Sequence, residues 1–134
     1  MLLKKIPPYF AAQNWAGVCG HIEKAQPYSH GEWTMEQIKS DIHTGRVELI
    51  SVLDGEDCVG AVAYVMQNRR NSRCAFVVAI GGAALASQGN YDQLRSIFKS
   101  EGATEIEGAG RPAIVRLWSQ FGFEPKHQIF GVQI

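Results

Sequence analysis

The chain has 134 residues, of which 46% are hydrophobic and 19% charged, and its formal net charge is zero. These values fit one globular domain over residues 1–134 with a core of its own. They disfavour roles dominated by nucleic acid or by an anionic membrane, because such roles usually need a net basic face.

Hydrophobic periodicity and turn residues predict elements in the order β-α-α-β-β-β-α-β-α-β. In chain order these elements cover residues 2–6, 8–24, 34 to a stop at Gly45, 47–53, 58–67, 74–80, 90–101, 104–107, 112 to a stop at Gly122, and a last strand that runs to Ile134. An antiparallel meander followed by a strand–helix–strand unit gives an α+β fold, in which helices cover both faces of a central mixed (α/β-type) sheet.

Three local signals support this order of elements. Thr34 and Gln37 have the spacing of a capping box at a helix start. The dipeptide Asp54-Gly55 between two β-rich runs is typical of a tight hairpin. The continuous apolar run over residues 74–80 indicates a strand that is buried on both faces.

Cysteine usage and the apolar runs predict the compartment. Cys19, Cys58 and Cys74 form no CxxC pair and lie within apolar patterns, so we expect buried free thiols in a reducing compartment, the cytoplasm. The N-terminus lacks an apolar stretch of signal-peptide length. The longest apolar run is about a dozen residues, short of the roughly 20 that cross a bilayer.

The last quarter of the chain is the most informative segment. Pro112 has a preset backbone angle that suits a helix start, and Gly122 suits the left-handed turn that ends a helix. Between them, apolar residues recur at the spacing of a core-facing helix. These residues are Ile114, Leu117, Trp118 and Phe121.

The pairs Leu117-Trp118 and Gly122-Phe123, on a helix before a last strand, resemble the end of the Gcn5-related N-acetyltransferase (GNAT) fold. The resemblance covers essentially the whole chain in element order. With Gly110-Arg111 and Arg116, the same segment also resembles divergent GNAT-like proteins encoded in tailed-phage genomes. The resemblance to the GNAT family implies that the chain transfers an acetyl group from acetyl-CoA, its co-substrate, to a small-molecule or protein amine. It implies no metal.

The resemblance also implies a phosphate-binding loop after the fourth strand. GNAT enzymes usually carry an Arg/Gln-x-x-Gly-x-Gly/Ala pattern there, whereas this chain has small residues without that pattern. The cofactor-binding candidates are Ile80, Gly81, Gly82, Ala83, Gln88, Gly89 and Asn90. The alternative is structural: Gly81 and Gly82 form a bulge or bend, and Asn90 is a helix N-cap.

A second departure concerns the general acid. In many GNAT enzymes a tyrosine on the last helix protonates the leaving thiolate, and the matching residue here is Trp118. An indole N–H cannot act as an acid at ordinary pH. If Trp118 occupies that place, water or another group must supply the proton. The alternative is that Trp118 is a core residue.

Acetyl transfer to an amine also needs a base that deprotonates the ammonium. The candidate bases are Glu32, His30 and Glu107, and Tyr28 and Trp33 complete a candidate acceptor pocket. His30 and Glu32 belong to the loop predicted over residues 27–33, between the first two helices. In GNAT enzymes, the loop between these helices helps to form the acceptor site. The alternatives are a polar surface loop anchored by its aromatic residues, and a Glu107 that faces solvent or pairs with Arg111.

Two further features bear on partners. The four histidines show no metal-ligand spacing, and His21 and His43 are expected at helix surfaces or ends. The final strand could lie at a sheet edge and pair with a second copy or another protein.

Three hypotheses for the chain follow from the sequence. The first is an acetyltransferase. The second is a catalytically degenerate GNAT-fold protein with a binding or structural role, in a phage particle or against a host protein, and the third is an unrelated α+β domain.

Overall fold

A five-stranded sheet organises the part of the chain that this computed structural model describes, which is residues 1–25 and 33–134 without the side chains of residues 12–14 and 19. The strands are β1 (Leu2–Ile6), β2 (Glu48–Asp54), β3 (Asp57–Asn68), β4 (Arg73–Gly82) and β5 (Glu105–Gly108). The helices are α1 (Pro8–Ala25), α2 (Met35–Thr44), α3 (Gln88–Ser100) and α4 (Pro112–Ser119).

The sheet is mixed, as the sequence predicts. Its strand order is β1-β2-β3-β4-β5, with antiparallel pairing from β1 to β4. The last strand, β5, pairs with β4 in parallel, and α3 provides the crossover between them. None of the helices in the described ranges combines the length and apolar character needed to span a bilayer.

Each face of the sheet carries its own hydrophobic core. Neighbouring residues of β2 show the division: Leu49 belongs to the cluster with α1 and α2, and Ile50 to the cluster with α3 and α4. Both side chains are at most 1% exposed. Because successive strand residues point to opposite faces, burial on both sides produces the continuous apolar runs in the sequence.

The predicted local signals are confirmed where helices and turns begin and end. Thr34 accepts a hydrogen bond from the Gln37 backbone N–H (3.2 Å), and its own N–H donates to the Gln37 side chain (2.8 Å). Gly45 ends α2 in the left-handed conformation, with φ of 80°. Asp54 pairs with Asp57 across a two-residue loop, in which Gly55 has φ of 63°.

Helix α3 is fixed at both ends by partly buried polar contacts. At its start, the Asn90 side chain donates to the Ala83 carbonyl (2.8 Å). Just beyond its end, the Glu101 carboxylate accepts from the Tyr64 hydroxyl (2.5 Å) and from the Lys5 ammonium. Burial of Tyr64 beside Glu101 raises the pKa of the phenol, so it remains a hydrogen-bond donor. These contacts set the position of α3 against the sheet.

Two predicted helix boundaries are wrong. Helix α3 begins at Gln88 rather than near Asn90, because Ser87 is its N-cap and accepts from the Asn90 backbone N–H (3.1 Å). Helix α4 ends at Ser119, and Leu117 on its predicted core stripe is 50% exposed. Gly122 still adopts the left-handed conformation, with φ of 92°.

The predicted final strand does not form. Residues 123–134 have no regular secondary structure, and almost all of their side chains are exposed. Alternating apolar residues satisfy the local pattern of a strand, but a strand also needs a hydrogen-bonding neighbour. Cys58 and Cys74 are free thiols; Cys74 is buried, as predicted, whereas Cys58 is only half-buried.

Adjacent residues of α4 provide a test of this packing. Trp118 is 7% exposed and packs edge-on against Phe123 with ring centroids 4.7 Å apart, whereas Leu117 is half exposed. We expect Trp118→Ala to lower the free energy of unfolding by about 3–5 kcal/mol. Leu117→Ala, a matched control on the same helix, should cost less than about 1 kcal/mol. Urea unfolding followed by circular dichroism measures both, and equal losses would contradict the packing described.

Candidate functional site

The main candidate site is an opening between β4 and β5. The two strands pair only from Cys74 opposite Glu105 to Val77 opposite Gly108. Beyond Val77, β4 continues to Gly82, while the chain leaves β5 toward α4. The backbone groups on that side of β4 therefore have no strand partner among the described residues, and they can bind an extended ligand.

A β-bulge lies where the two strands separate. In the pairing of β3 with β4, Ala63 is opposite Ala79 and Tyr64 is opposite Val77, so Val78 is an extra residue. Both Val78 and Ala79 belong to the core cluster on the α1 face. A bulge bends its strand and increases the local twist, and this explains why β4 turns away from β5 here.

The glycines after the bulge are required by contacts within the protein. Gly82 has φ of 64°, and a Cβ added there would lie 2.3 Å from the Val59 carbonyl oxygen. A Cβ on Gly81 would lie 2.5 Å from the His21 carbonyl oxygen. These glycines form a bend pressed against α1 and β3, as the structural alternative predicts, whereas the bulge itself lies upstream.

His21 is a residue whose position the sequence analysis missed. Its Nε2 lies 3.1 Å from the Cys58 carbonyl oxygen, and its Nδ1 would lie 2.8 Å from a Cβ on Gly82. The side chain of this α1 residue thus lies against β3 and the end of β4 instead of at a free helix surface. The sequence feature that could have indicated this contact is the adjacent pair Gly81-Gly82, because such a pair often marks a close approach of another group to the backbone.

The loop from β4 leads directly to the exposed start of α3. Ser87, Gln88 and Gly89 are exposed, and the first-turn N–H groups of a helix have no partner within the helix. These donors and the positive end of the helix dipole attract an anion. Two other cofactor-binding candidates make contacts within the protein. Asn90 is only 4% exposed, and the Ala83 N–H donates a hydrogen bond to the Val59 carbonyl (2.9 Å).

The remaining cofactor candidate, Ile80, is half-buried and packs against the cluster on the α3 face. Of the predicted acceptor-site residues, Tyr28, His30 and Glu32 lie outside the described residues. Trp33 is partly buried and packs against the cluster on the α1 face. This contact agrees with the interpretation in which an aromatic residue anchors the loop.

Glu107, the third candidate base, is an ion-pair partner. Arg69 binds its carboxylate through two hydrogen bonds (2.6 and 3.0 Å), and the Lys126 ammonium lies 2.5 Å from it. The hydrogen bond from Arg69, with a further contribution from Lys126, lowers the pKa of Glu107 from its ordinary 4.5 to about 2. A carboxylate with this pKa is a weak base at neutral pH. Its contacts connect β5 to the turn after β3 and to the segment after α4.

Around Glu107, three side chains with atoms that can bind a metal ion lie close together. The Cys74 thiol and the carboxylates of Glu105 and Glu107 have ligand atoms within 4.8 Å of one another. Arg69 and Lys126 already bind both carboxylates. A cation at this position would therefore have to displace two positively charged side chains.

Trp118 lies in the core cluster on the α3 face, as the alternative interpretation predicts. Its ring packs edge-on against Phe123 and is 7% exposed. The tryptophan thus contributes packing at the position where the GNAT resemblance implies a general acid.

No protein-family model matches the sequence, and no curated protein gives a significant sequence match. Solved structures do match. An aminoglycoside N-acetyltransferase, AAC(6')-Iy in complex with CoA, superposes with a TM-score of 0.69 at 10% identity, over 99% of this chain and 93% of that one. The chain has the GNAT fold.

Two other solved structures that match show how low the sequence identity is. A ribosomal-protein-alanine N-acetyltransferase from Brucella melitensis has a TM-score of 0.67 at 11% identity, with both chains fully covered. A transcriptional regulator from Bacillus halodurans has a TM-score of 0.61 at 17% identity, over 99% of each chain. At these identities the likeness establishes the fold alone.

The Glu107 cluster predicts a pH-dependent stability. Because the folded-state pKa is lowered, the carboxylate stabilises the fold above its ordinary pKa of 4.5, and this contribution is lost as the pH falls toward about 2. Glu107→Gln should lower the free energy of unfolding by about 1–3 kcal/mol at pH 7. The difference from the unmodified chain should shrink steadily below about pH 5.

Denaturant unfolding at several pH values measures this difference. Glu124→Gln is the control, since Glu124 is an exposed carboxylate close to the cluster in the chain. Its effect on stability should be small at every pH. A loss for Glu107→Gln that is the same at pH 3 and pH 7 would contradict the ion-pair account.

Proposed function

We propose that this chain is an acetyl-CoA-dependent N-acetyltransferase that acts on a small-molecule or protein amine. One observation carries the proposal: the unpaired stretch of β4 after Val77 leads, through a short loop, to the exposed start of α3. A ligand with an extended arm and a phosphate end can bind both. The GNAT-fold neighbour crystallised with CoA supports the choice of this ligand.

In the proposed complex, the pyrophosphate binds at Ser87, Gln88 and Gly89. Backbone N–H groups at a helix start provide both hydrogen bonds and a favourable dipole for such a group. The thioester arm would extend along β4 beside Val78 and Ala79, where unpaired backbone groups can bind amide and carbonyl groups. Acetyl-CoA is available in the cytoplasm, and the free thiols of Cys58 and Cys74 accord with a reducing compartment.

The reaction needs little acid–base chemistry from the protein. The neutral amine attacks the thioester carbonyl carbon, a C–N bond forms, and the C–S bond breaks to release CoA as a thiolate. A thiol of ordinary pKa, about 8.5, leaves readily as an anion and can take a proton from water. A core tryptophan at position 118 is therefore compatible with transfer, and the protein's main contributions are binding and orientation.

The ammonium of the acceptor still has to lose a proton. We propose His30 or Glu32 as the base, because both belong to the stretch of sequence that the GNAT resemblance assigns to the acceptor site. Glu107 is the weaker choice, because Arg69 and Lys126 hold it as an anion of low basicity. Its proposed role is to fix β5 at the edge of the opening.

A second candidate is a binding or structural protein that keeps the fold without catalysis. Two observations favour it: Trp118 is buried in the core, and Gly81 and Gly82 make their close contacts with α1 and β3. The two candidates differ in whether the chain binds and consumes acetyl-CoA.

A substitution at Gly89 tests the proposed binding site. A Cβ there meets only the Ser87 hydroxyl oxygen, at 3.7 Å, so the change is sterically tolerated. Gly89→Asp should keep or slightly raise the stability of the free protein, because a negative charge suits a helix start. The same charge should repel the pyrophosphate. Gly89→Ala, which adds the Cβ without the charge, should leave binding intact.

Thermal unfolding with and without acetyl-CoA measures this binding. At 100 times the dissociation constant, a ligand of the folded state adds about 2.7 kcal/mol of stability. We expect that gain for the unmodified chain and for Gly89→Ala, and its loss for Gly89→Asp. Absence of stabilisation at millimolar acetyl-CoA would reject the enzyme proposal, and equal gains in all three proteins would place the ligand elsewhere.

The base is tested by CoA release with a panel of primary amines. For the amine that gives turnover, replacing the base should lower kcat/KM by about 100- to 10,000-fold and leave the acetyl-CoA dissociation constant unchanged. The variants are His30→Ala and Glu32→Gln, with Glu36→Gln on α2 as the control. Full activity in both candidate variants would exclude these residues as the base.

A further inference from the structure

Three glycines allow unusually close backbone contact at the corner of the sheet where β4 ends. Gly60 on β3 pairs with Gly82, the last residue of β4, and Gly81 precedes it. A Cβ on Gly60 would lie 2.9 Å from both the Ala83 nitrogen and the Gly81 carbonyl oxygen. The absence of side chains on these three residues lets the backbone of β3 meet the end of β4 directly.

His21 closes this corner from the side of α1. Its Nε2 lies 3.1 Å from the Cys58 carbonyl oxygen on β3, and because a carbonyl oxygen can only accept, Nε2 carries the proton and donates. The other ring nitrogen, Nδ1, faces Gly82, where an added Cβ would lie only 2.8 Å from it. The imidazole therefore connects α1 to β3 and presses against the end of β4.

Hydrogen bonds connect this corner to the start of α3. Gly82 is followed by Ala83, whose N–H donates to the Val59 carbonyl on β3 (2.9 Å). The Ala83 carbonyl accepts from the Asn90 side chain in the first turn of α3 (2.8 Å) and from the Ala86 N–H (3.1 Å). A displacement of Gly82 would therefore be transmitted, through one carbonyl group, to the first turn of the helix.

Packing of α1 does not account for a histidine at this position. The buried side chains of that helix are apolar, namely Ala11, Val18 and Ile22, and they belong to the core cluster on the α1 face. His21 is only half-buried. What the imidazole adds to these contacts is a hydrogen-bond donor directed at a backbone carbonyl of another element.

We propose that His21 is a positioning residue for the anion site at the start of α3. Its hydrogen bond to β3 holds the end of β4 in place and so sets the position of the Gln88 and Gly89 N–H groups. The inference rests on the proposed function, since it concerns the affinity of that same site for acetyl-CoA. His21 acts through the Ala83 carbonyl and not by touching the ligand.

Calorimetric titration with acetyl-CoA, well below the melting temperature, tests this role. His21→Ala should raise the dissociation constant about 10-fold, which is the change that loss of one ordinary hydrogen bond can produce. His21→Gln keeps a side-chain N–H that can donate to the same carbonyl, and it should restore most of the affinity. Val18→Ala is the control on the same helix: Val18 is buried, so this change should lower the melting temperature and leave the dissociation constant unchanged.

Spectra of the free proteins make the failure of this inference distinguishable from that of the proposed function. Without ligand, His21→Ala should shift the Ala83, Gln88 and Gly89 amide signals, and His21→Gln should return them toward their original positions. His21→Phe, which keeps a planar ring without a donor, replaces the alanine variant if that variant does not fold.

The outcomes separate as follows. If the unmodified chain does not bind acetyl-CoA, the proposed function and this inference both fall. If it binds, three results would overturn the inference alone: an unchanged dissociation constant in His21→Ala, the same loss of affinity in His21→Gln or Val18→Ala, or unmoved Ala83 and Gly89 signals.

Discussion

The interruption of backbone pairing between β4 and β5 is the constraint on which the rest of the site depends. A parallel pair that ends at Val77 and Gly108 leaves the remainder of β4 with unpaired backbone groups on one side. The bulge at Val78 maintains the separation, because an extra residue rotates the strand away from its neighbour. Without it, continued pairing would close the opening.

Polar contacts hold the two sides of this opening in place. On one side, Glu107 binds Arg69 and Lys126, so β5 is tied both to the turn after β3 and to the segment after α4. On the other side, Asn90 and Glu101 hold the two ends of α3. The exposed helix start thus has a defined position relative to β4, and the proposed binding of a thioester along β4 requires such a fixed geometry.

Local features of this chain were predictable from sequence, and features that depend on distant residues were not. The capping box at Thr34 and the hairpin at Gly55 are encoded within a few residues. The bulge at Val78 lies inside a uniform apolar run, so no residue type marks it. Glu107 is 38 positions from Arg69, and only the register of β4 with β5 and the path of the turn bring them together.

For the candidate site, the sequence predicted ligand contacts over residues 80–83 and 88–90, and the structure shows which of these residues are exposed and which contact other parts of the protein. Small residues after β4 suggested close approach of a ligand, whereas Gly81 and Gly82 instead accommodate α1 and β3. Asn90 was a candidate for the same reason, yet its side chain faces inward. Composition alone does not distinguish approach by a ligand from approach by another part of the protein.

The central claim is that acetyl-CoA binds along the unpaired part of β4 with its pyrophosphate at the start of α3. An assigned ¹H–¹⁵N spectrum, recorded during titration with acetyl-CoA, tests it most directly. The account predicts saturable shifts of the Gln88 and Gly89 amides together with those of Val78 and Ala79. Saturation without movement of these signals, or shifts confined to residues outside β4 and α3, would contradict it.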